Sequence, residues 1–282
     1  MERSIFPKRY NNISARKKYR AKRGLRLRYF KIILFVILLI SITGSIFYFL
    51  LIADNFSIKE VNISGLKTIP EDQVSREVNS IFSEKKFGFL KSRNYFVFSE
   101  DKMRAEILET FPKIGEIKIK KNPETVEITV EERGAIGVWC GRAGECFYFD
   151  KSGVIFEESP KSTGSLILAI QDERSQLSGS DPDSLGEIVV SSDEINFFQE
   201  TKGLISRNFP FNAQLFIITE KSEFELQTSE NWRVFLNKKE SPQYQVSNLK
   251  YLLDEEIKNR RWELDYVDLR LGNRVYYKYG DK

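Results

Sequence analysis

One long hydrophobic run stands near the start of the chain, and short alternating or helical patterns follow it. The run, Ile32–Ala53, has 22 residues and no charge, and sixteen of them are Leu, Ile, Phe or Val. As a helix it would extend about 33 Å, which is enough to cross a hydrocarbon layer of roughly 30 Å. The run therefore predicts a transmembrane helix, with Lys31 at one end and Asp54 at the other.

Two alternatives compete with a retained anchor. A cleaved signal peptide has a shorter apolar core followed by a small-x-small cleavage site. Here the core is longer, and Ile52-Ala53-Asp54 is a poor site. A buried helix of a globular domain is the other alternative. The pattern favours the retained anchor.

Charge is divided by this run. Residues 1–31 contain twelve Lys or Arg and one Glu, a net charge of +11, so the remaining 251 residues carry −7 of the chain's total of +4. Under the positive-inside rule the basic arm stays in the cytoplasm and the body lies outside. The arm is interpreted as a topology signal that attracts anionic lipids, and we expect it to be disordered. A nucleic-acid patch is the alternative, but Arg16–Arg28 lacks interleaved aromatic residues for stacking on bases.

After the anchor, the patterns predict a small α+β region. Apolar residues alternate in stretches that predict strands and recur every three or four residues in stretches that predict helices. Two helices can cover one face of a three-stranded sheet. The predicted order is a strand in Phe56–Gly65, a helix from Pro70, a loop over Ser83–Ser92, a helix between Ser99 and Pro112, and strands at Ile114–Ile119 and Val126–Val130.

From Gly134 onward the chain is predicted to be mostly strands. A helix is expected to start at Ser192 and another at Ser241-Pro242, where serine and proline are typical of a helix start. The last two predicted strands are Leu264–Arg270 and Arg274–Tyr279, separated by a turn at Leu271-Gly272-Asn273.

The chemistry-bearing residues argue against an enzyme. The chain has no His, which removes the commonest general base and the commonest zinc ligand. The usual hydrolase, nucleotide-binding and zinc-protease motifs are missing as well. Asp150 and Asp268 are expected to cap turns or strands. Cys140 and Cys146 flank a five-residue hairpin loop, and they are either a disulfide, which we favour, or free thiols, depending on the compartment.

Three phrases carry a resemblance to a known family. The first consists of the two ends of one region, FSIKEVNISG and FPKIGEIKIKKNPETVEITVEER; the second is YFDKSGVIF, and the third is YVDLR with the strand after it. Together with a single anchor, these phrases resemble the FtsQ/DivIB family of bacterial cell-division proteins. The resemblance implies an α+β chain made of a cytoplasmic tail (1–31), a transmembrane helix (32–53), a POTRA domain (54–132) and a mainly antiparallel β domain with a C-terminal helix (133–282).

The resemblance also implies a function. FtsQ/DivIB proteins are non-enzymatic, single-pass scaffolds of the cell membrane at the division septum, and their β domain docks FtsB- and FtsL-type partners. No cofactor, nucleic acid or small-molecule substrate is implied. An alternative is a POTRA-bearing assembly or translocation factor, since the POTRA unit also serves that class. An anchored extracytoplasmic enzyme is a third hypothesis, which the missing motifs disfavour.

The resemblance further implies that partners bind the helix region Tyr251–Asn259, Arg270 and the terminal strand Arg274–Tyr279. A terminal strand rich in Tyr, Val and Arg at a sheet edge can accept a strand from another protein. The alternative is that the tyrosines only cover the core and that Arg270 pairs with a carboxylate. The expected binding residues are Tyr251, Arg270, Leu271, Arg274, Val275, Tyr276, Tyr277 and Tyr279.

Overall fold

A computed structural model describes residues 13–51, 56–86, 90–161, 167–174, 184–220, 223–272 and 274–280. The chain divides into two compact units. The first comprises Met1–Asn62, Val78–Glu100 and Lys120–Val126, and the second comprises Ile63–Glu77, Asp101–Ile119 and Glu127–Lys282.

The first unit begins with one long helix, α1 (Ile13–Leu51), of 39 residues. Its segment Arg28–Leu51 is long and apolar enough to cross a membrane, and none of that segment is buried within the protein. The apolar side chains of residues 28–49 are exposed and can face lipid. The predicted end of the span, at Ala53 and Asp54, lies outside the described residues.

The expectation of a disordered basic arm is wrong for residues 13–31, which are helical. Starting a helix is costly, but extending an existing one is cheap. Ala, Arg, Lys and Leu, which are good helix formers, dominate this stretch, so the apolar helix continues backward through it. Residues 1–12 of the arm are outside the described range.

Residues 56–133 have the predicted order of elements. The strands β1 (Glu60–Ser64), β4 (Ile114–Lys121) and β5 (Thr125–Glu132) form a sheet in the order β1-β5-β4. The helices are α2 (Glu71–Ser83) and α3 (Glu100–Thr110). One detail differs, since the predicted loop over Ser83–Ser92 contains a small hairpin of β2 (Lys85–Lys86) and β3 (Leu90–Lys91).

Burial in this region follows the predicted periodicity. On β5 every second residue is buried, which leaves the intervening residues to solvent. On the helices, residues three or four positions apart are buried. The buried side chains on these elements are Val74, Val78, Ile81, Phe82, Met103, Ile107, Val126, Ile128 and Val130.

The rest of the second unit is a nine-stranded sheet in the order β14-β13-β12-β11-β10-β9-β6-β7-β8. Its strands are β6 (Gly137–Cys140), β7 (Cys146–Phe149), β8 (Ile155–Glu158), β9 (Leu168–Asp172), β10 (Ala213–Glu220), β11 (Glu223–Thr228), β12 (Arg233–Asn237), β13 (Leu264–Leu271) and β14 (Arg274–Tyr279).

Five neighbouring pairs in this sheet are antiparallel, in line with the predicted β domain. Three pairs, β6/β9, β9/β10 and β12/β13, are parallel. Parallel neighbours need crossover connections, and helices supply two of these. The helix α4 (Ser192–Asn208) lies between β9 and β10, and α5 (Pro242–Tyr251) lies between β12 and β13.

Local sequence fixes where these two helices start. Ser191 caps α4 in a capping box with Glu194, and Ser241 caps α5, with Pro242 in the first turn. After α5 the chain continues as a π-helical turn (Leu252–Ile257) and a 3₁₀ helix (Lys258–Glu263). The core of the sheet and helices is rich in aromatic rings, among them Trp139, Phe149, Phe198, Phe216, Phe224 and Trp232.

Candidate partner-binding edge

The strand β14 is the outermost strand of the large sheet. It pairs with β13, and among the strands that the structure describes none lies on its other side. The opposite edge, β8, differs because Ile155 N–H donates to Glu187 O at 3.0 Å and Gly186 N–H donates to Ile155 O at 2.8 Å. A neighbouring segment thus covers the start of β8. The backbone of β14 is placed to pair with a further strand.

Side chains of β14 divide between core and solvent. Val275 and Tyr279 pack against the hydrophobic core, as the core-covering alternative expected. Tyr276 and Tyr277 are 49% and 40% exposed, and Arg274 is exposed as well. The Tyr277 ring makes an edge contact with the Tyr279 ring at 5.5 Å. The structure therefore leaves Arg274, Tyr276 and Tyr277 accessible on the outermost strand.

Arg270 on β13 is engaged with carboxylates of its own chain. Its guanidinium donates to both oxygens of Asp268, at 2.9 and 2.7 Å, and to Glu223 Oε2 at 2.5 Å. It also lies over the Phe235 ring, 5.0 Å from the centroid. Because Phe235 belongs to β12 and Glu223 opens β11, these contacts connect β13 with its inner neighbour and with the next strand beyond it. The geometry shows a bracing role for Arg270, and its contact with a partner stays a prediction.

The electrostatics of this pair follow from the same contacts. Burial alone would raise the pKa of Asp268, but hydrogen bonds from the side chain and backbone of Arg270, and its charge, lower it below the usual value. The pKa of Arg270 is raised, first by its hydrogen bond to Asp268 and then by Glu223. Asp268 also accepts a bond from the Arg270 backbone N–H at 3.0 Å, in keeping with its predicted capping role.

The other two predicted residues stand at the ends of their elements. Tyr251 is the last residue of α5 and is 69% exposed, and Leu271 ends β13 and is 57% exposed. Gly272, at φ +63°, follows Leu271 and opens the turn into β14. Asn273, which completes that turn in the sequence, is outside the described part of the chain.

The sequence of residues 56–133 matches the family model of the POTRA domain, FtsQ-type. Residues 56–133 are an FtsQ-type POTRA domain. This result confirms the resemblance found in the sequence and supports a protein of the FtsQ/DivIB family, with a divisome-associated scaffold role in general terms. No curated protein matches the chain.

The structure explains the Glu-Arg pair that closes this POTRA domain. The carboxylate of Glu132 accepts hydrogen bonds from the backbone N–H groups of Lys67, Thr68 and Ile69, at 2.6, 2.8 and 3.1 Å, and from the Thr68 hydroxyl at 2.6 Å. Burial would raise the pKa of Glu132, but these four bonds lower it from 4.5 to about 2. Glu132 thereby fixes the loop that leads into α2.

The neighbouring Arg133 connects two further pieces of chain within the second unit. Its Nε donates to Pro112 O at 3.0 Å, and its guanidinium forms an ion pair with Asp150. Asp150 in turn accepts from the backbone N–H groups of Ser152 and Val154, at 2.9 and 3.1 Å. Asp150 is thus a turn-capping residue, as the sequence indicated. The FtsQ-like phrases FP, ER and YFDKSG meet in one network.

The two cysteines face each other across the β6–β7 hairpin. Cys140 and Cys146 are register partners, with Cα atoms 4.1 Å apart, and their sulfur atoms are bonded at 2.01 Å. Both side chains are buried with Val138. Among the two possibilities left open by the sequence, the structure has the disulfide.

Sequence analysis missed one prominent surface residue. Trp262, in the 3₁₀ helix, is 62% exposed. Two residues earlier, Arg260 lies over the Tyr279 ring of β14 at 4.2 Å, which brings this helix to the same edge. The signal in the sequence was a lone tryptophan inside the charged run Lys258–Glu263. Exposed aromatic residues beside an open edge are typical of binding hot spots.

Two features of the described part of the chain bear on metal binding and on perturbed carboxylates. Within it, no three His, Cys, Asp or Glu side chains are grouped so that they could hold a metal ion. The strongest shift of a carboxylate pKa, that of Glu132, is explained by backbone capping. Proteins with the FtsQ-type POTRA domain form a non-catalytic scaffold family.

Proposed function

We propose that this protein is a non-enzymatic, membrane-anchored scaffold of the bacterial divisome that binds FtsB- and FtsL-type partners through β14. The observation that carries the proposal is the position of β14, which pairs with β13 and presents its outer side for another strand. The FtsQ-type match favours this function over a POTRA-bearing assembly or translocation factor.

The binding mode we propose is strand addition. A partner segment would pair with the backbone of Arg274–Tyr279, so that main-chain hydrogen bonds supply affinity. Tyr276 and Tyr277, with Trp262 nearby, would supply selectivity, because aromatic side chains bury a large area at little entropic cost. Arg270 would contribute indirectly, by holding β13 in the position in which it pairs with β14.

The proposed arrangement in the cell follows from charge. The +11 arm stays in the cytoplasm, α1 crosses the membrane, and the POTRA and β domains lie outside, at the division septum. An oxidising compartment outside the cytoplasm suits the Cys140–Cys146 disulfide. Protease added to spheroplasts should then digest the body and spare the basic arm; digestion of the first thirty residues alone would contradict this orientation.

Partner binding is tested by introducing a positive charge on the exposed face of β14. Full-length protein carrying Tyr277→Lys or Tyr276→Lys should capture an FtsB-type partner at least about tenfold less well, since hot-spot changes cost roughly 2 kcal/mol or more. The matched control is Ile188→Lys, because Ile188 is 70% exposed near the opposite edge of the same sheet. The control should bind normally, and all variants should keep the thermal transition of the parent. Normal capture by both tyrosine variants would refute docking at β14.

A further inference from the structure

The end of the membrane helix is joined to a loop of the POTRA domain. The side-chain amide of Asn94 donates to the carbonyl oxygens of Leu50 and Leu51, the last two residues of α1, at 2.9 and 3.4 Å. The other side-chain atom of Asn94, Oδ1, accepts from the Phe96 backbone N–H at 2.9 Å. Asn94 is almost fully buried, so these hydrogen bonds are shielded from water.

This connection satisfies groups that the helix cannot satisfy by itself. The last four carbonyl groups of any helix have no partner within it. Within the hydrocarbon of a bilayer an unpaired carbonyl group is costly, because no donor is available there. Asn94 supplies a donor to the carbonyl oxygens of Leu50 and Leu51 and so connects the loop to the last described turn of α1.

A series of aromatic rings continues from the helix into the same loop. Phe49, on α1, makes an edge contact with Phe56 at 6.0 Å, and Phe56 makes one with Phe96 at 5.3 Å. Tyr95 stands edge-on to Phe96, also at 5.3 Å. Phe49 and Phe96 are each about half exposed. Two ring contacts therefore separate Phe96 from a side chain of the membrane helix.

A cation lies beside these rings. Lys121 donates to Tyr95 O at 3.3 Å, and its ammonium group lies 4.8 Å from the centre of the Tyr95 ring. Aromatic rings with a neighbouring basic group are typical of the membrane interface, where the rings reach the acyl chains and the cation meets lipid phosphates.

We propose that the loop Asn94–Phe98 is seated in the outer interface of the bilayer, with Phe96 inserted among phospholipids. The occupant of this surface is lipid, because the loop is bonded to Leu50 and Leu51, the last described residues of the apolar helix. The inference rests on the proposed membrane anchor. Its consequence is that the POTRA domain is held at the membrane surface by a second attachment, besides the chain connection itself.

Photo-crosslinking in lipid vesicles tests this seat. The full-length protein is reconstituted alone into phospholipid vesicles, with the photoreactive residue p-benzoylphenylalanine in place of Phe96. The same residue in place of Phe47, on α1, reports on the anchor, and in place of Trp262, which is even more exposed than Phe96, it is the matched control. After illumination, lipid adducts are measured by mass spectrometry of the intact protein.

Lipid adducts at positions 96 and 47, with at least fivefold fewer at 262, are expected. Adducts at 47 but not at 96 would overturn the seat while leaving the anchor intact. Absence of adducts at 47 would remove the anchor and the inference with it. A crosslink from position 96 to a second protein chain would also overturn the proposal. The added change Asn94→Ala should lower the adduct yield at 96 several-fold and leave the yield at 47 unchanged.

Discussion

Replacing Glu132 by Gln tests how the POTRA domain is stabilised. The carboxylate of Glu132 binds three consecutive backbone N–H groups and one hydroxyl. In Glu132→Gln the charge is lost, and one acceptor oxygen becomes an amide nitrogen that faces donors. Hydrogen bonds to a charged acceptor are stronger than neutral ones, so we expect a destabilised domain at neutral pH.

The magnitude follows from the depressed pKa. A change from 4.5 in the unfolded chain to about 2 in the folded protein corresponds to about 3 kcal/mol of stability. Because the carboxylate is partly exposed, solvent screening reduces this to about 1–2 kcal/mol. The sign is that of a carboxylate with a lowered folded pKa. Its contribution is complete above pH 4.5, and most of it is lost as the pH falls from 4.5 to 2.

Urea unfolding of the full-length protein in detergent micelles, followed by circular dichroism at several pH values from 7 to 2, measures the effect. At pH 7 the free energy of unfolding of the wild type should exceed that of Glu132→Gln by about 1–2 kcal/mol. This difference should disappear as the pH approaches 2. Glu131→Gln is the matched control, since Glu131 is the exposed neighbour on the same strand, and it should change stability by less than about 0.5 kcal/mol. A difference that stays constant from pH 7 to pH 2 would refute the role of the charge.

The remaining predictions concern the second unit and use the same unfolding assay. Gly153→Ala should destabilise by at least about 1 kcal/mol more than Gly144→Ala, because both have positive φ but only at Gly153 would a Cβ meet a backbone oxygen, at 1.7 Å; equal losses would contradict this. Reducing the Cys140–Cys146 bond should cost about 2 kcal/mol by loop entropy, and an unchanged urea midpoint after reduction would contradict it. Arg270→Gln should lower stability by about 1 kcal/mol, and a variant that loses partner capture without any loss of stability would indicate direct contact instead of bracing.

Much of the POTRA domain could be predicted from its sequence because its signals are local. Val74, Val78 and Ile81 recur at helical spacing, and all three are buried. Pro112 follows α3, as its missing N–H requires. The hairpin at Lys85–Lys86 was missed because two-residue strands are too short to show an alternation. The helical part of the basic arm was missed because its composition is typical of a disordered segment. An apolar helix that is already formed can extend into such a segment at little cost.

The large sheet was harder to predict for a physical reason. Each of its strands has a local signature, but their order depends on pairings between residues far apart in the chain. The neighbours β6 and β9 are separated by two other strands, and the parallel pair β12/β13 forms only because α5 crosses over. A pattern of alternating residues predicts that a strand exists and which side chains share a face, and it carries no information about its neighbours. That the terminal strand lies at the edge of the sheet was therefore only an expectation, and the structure places β14 there.

The contacts of Arg270 with residues far away in the chain could not be predicted from the local sequence either, and they change its expected role in the candidate site. In the sequence, an arginine beside tyrosines in a terminal strand suggests a binding residue, because arginine and tyrosine are enriched at hot spots. In the structure, its guanidinium is already paired with Asp268, on the same strand, and with Glu223, on β11. Freeing it for a partner would leave those carboxylates without their cation, so its bracing contacts compete with partner binding. Binding through Tyr276 and Tyr277 breaks no such ion pair, since both side chains are already exposed. Charge placed on the tyrosines should therefore affect binding without affecting folding, whereas loss of Arg270 should affect folding first.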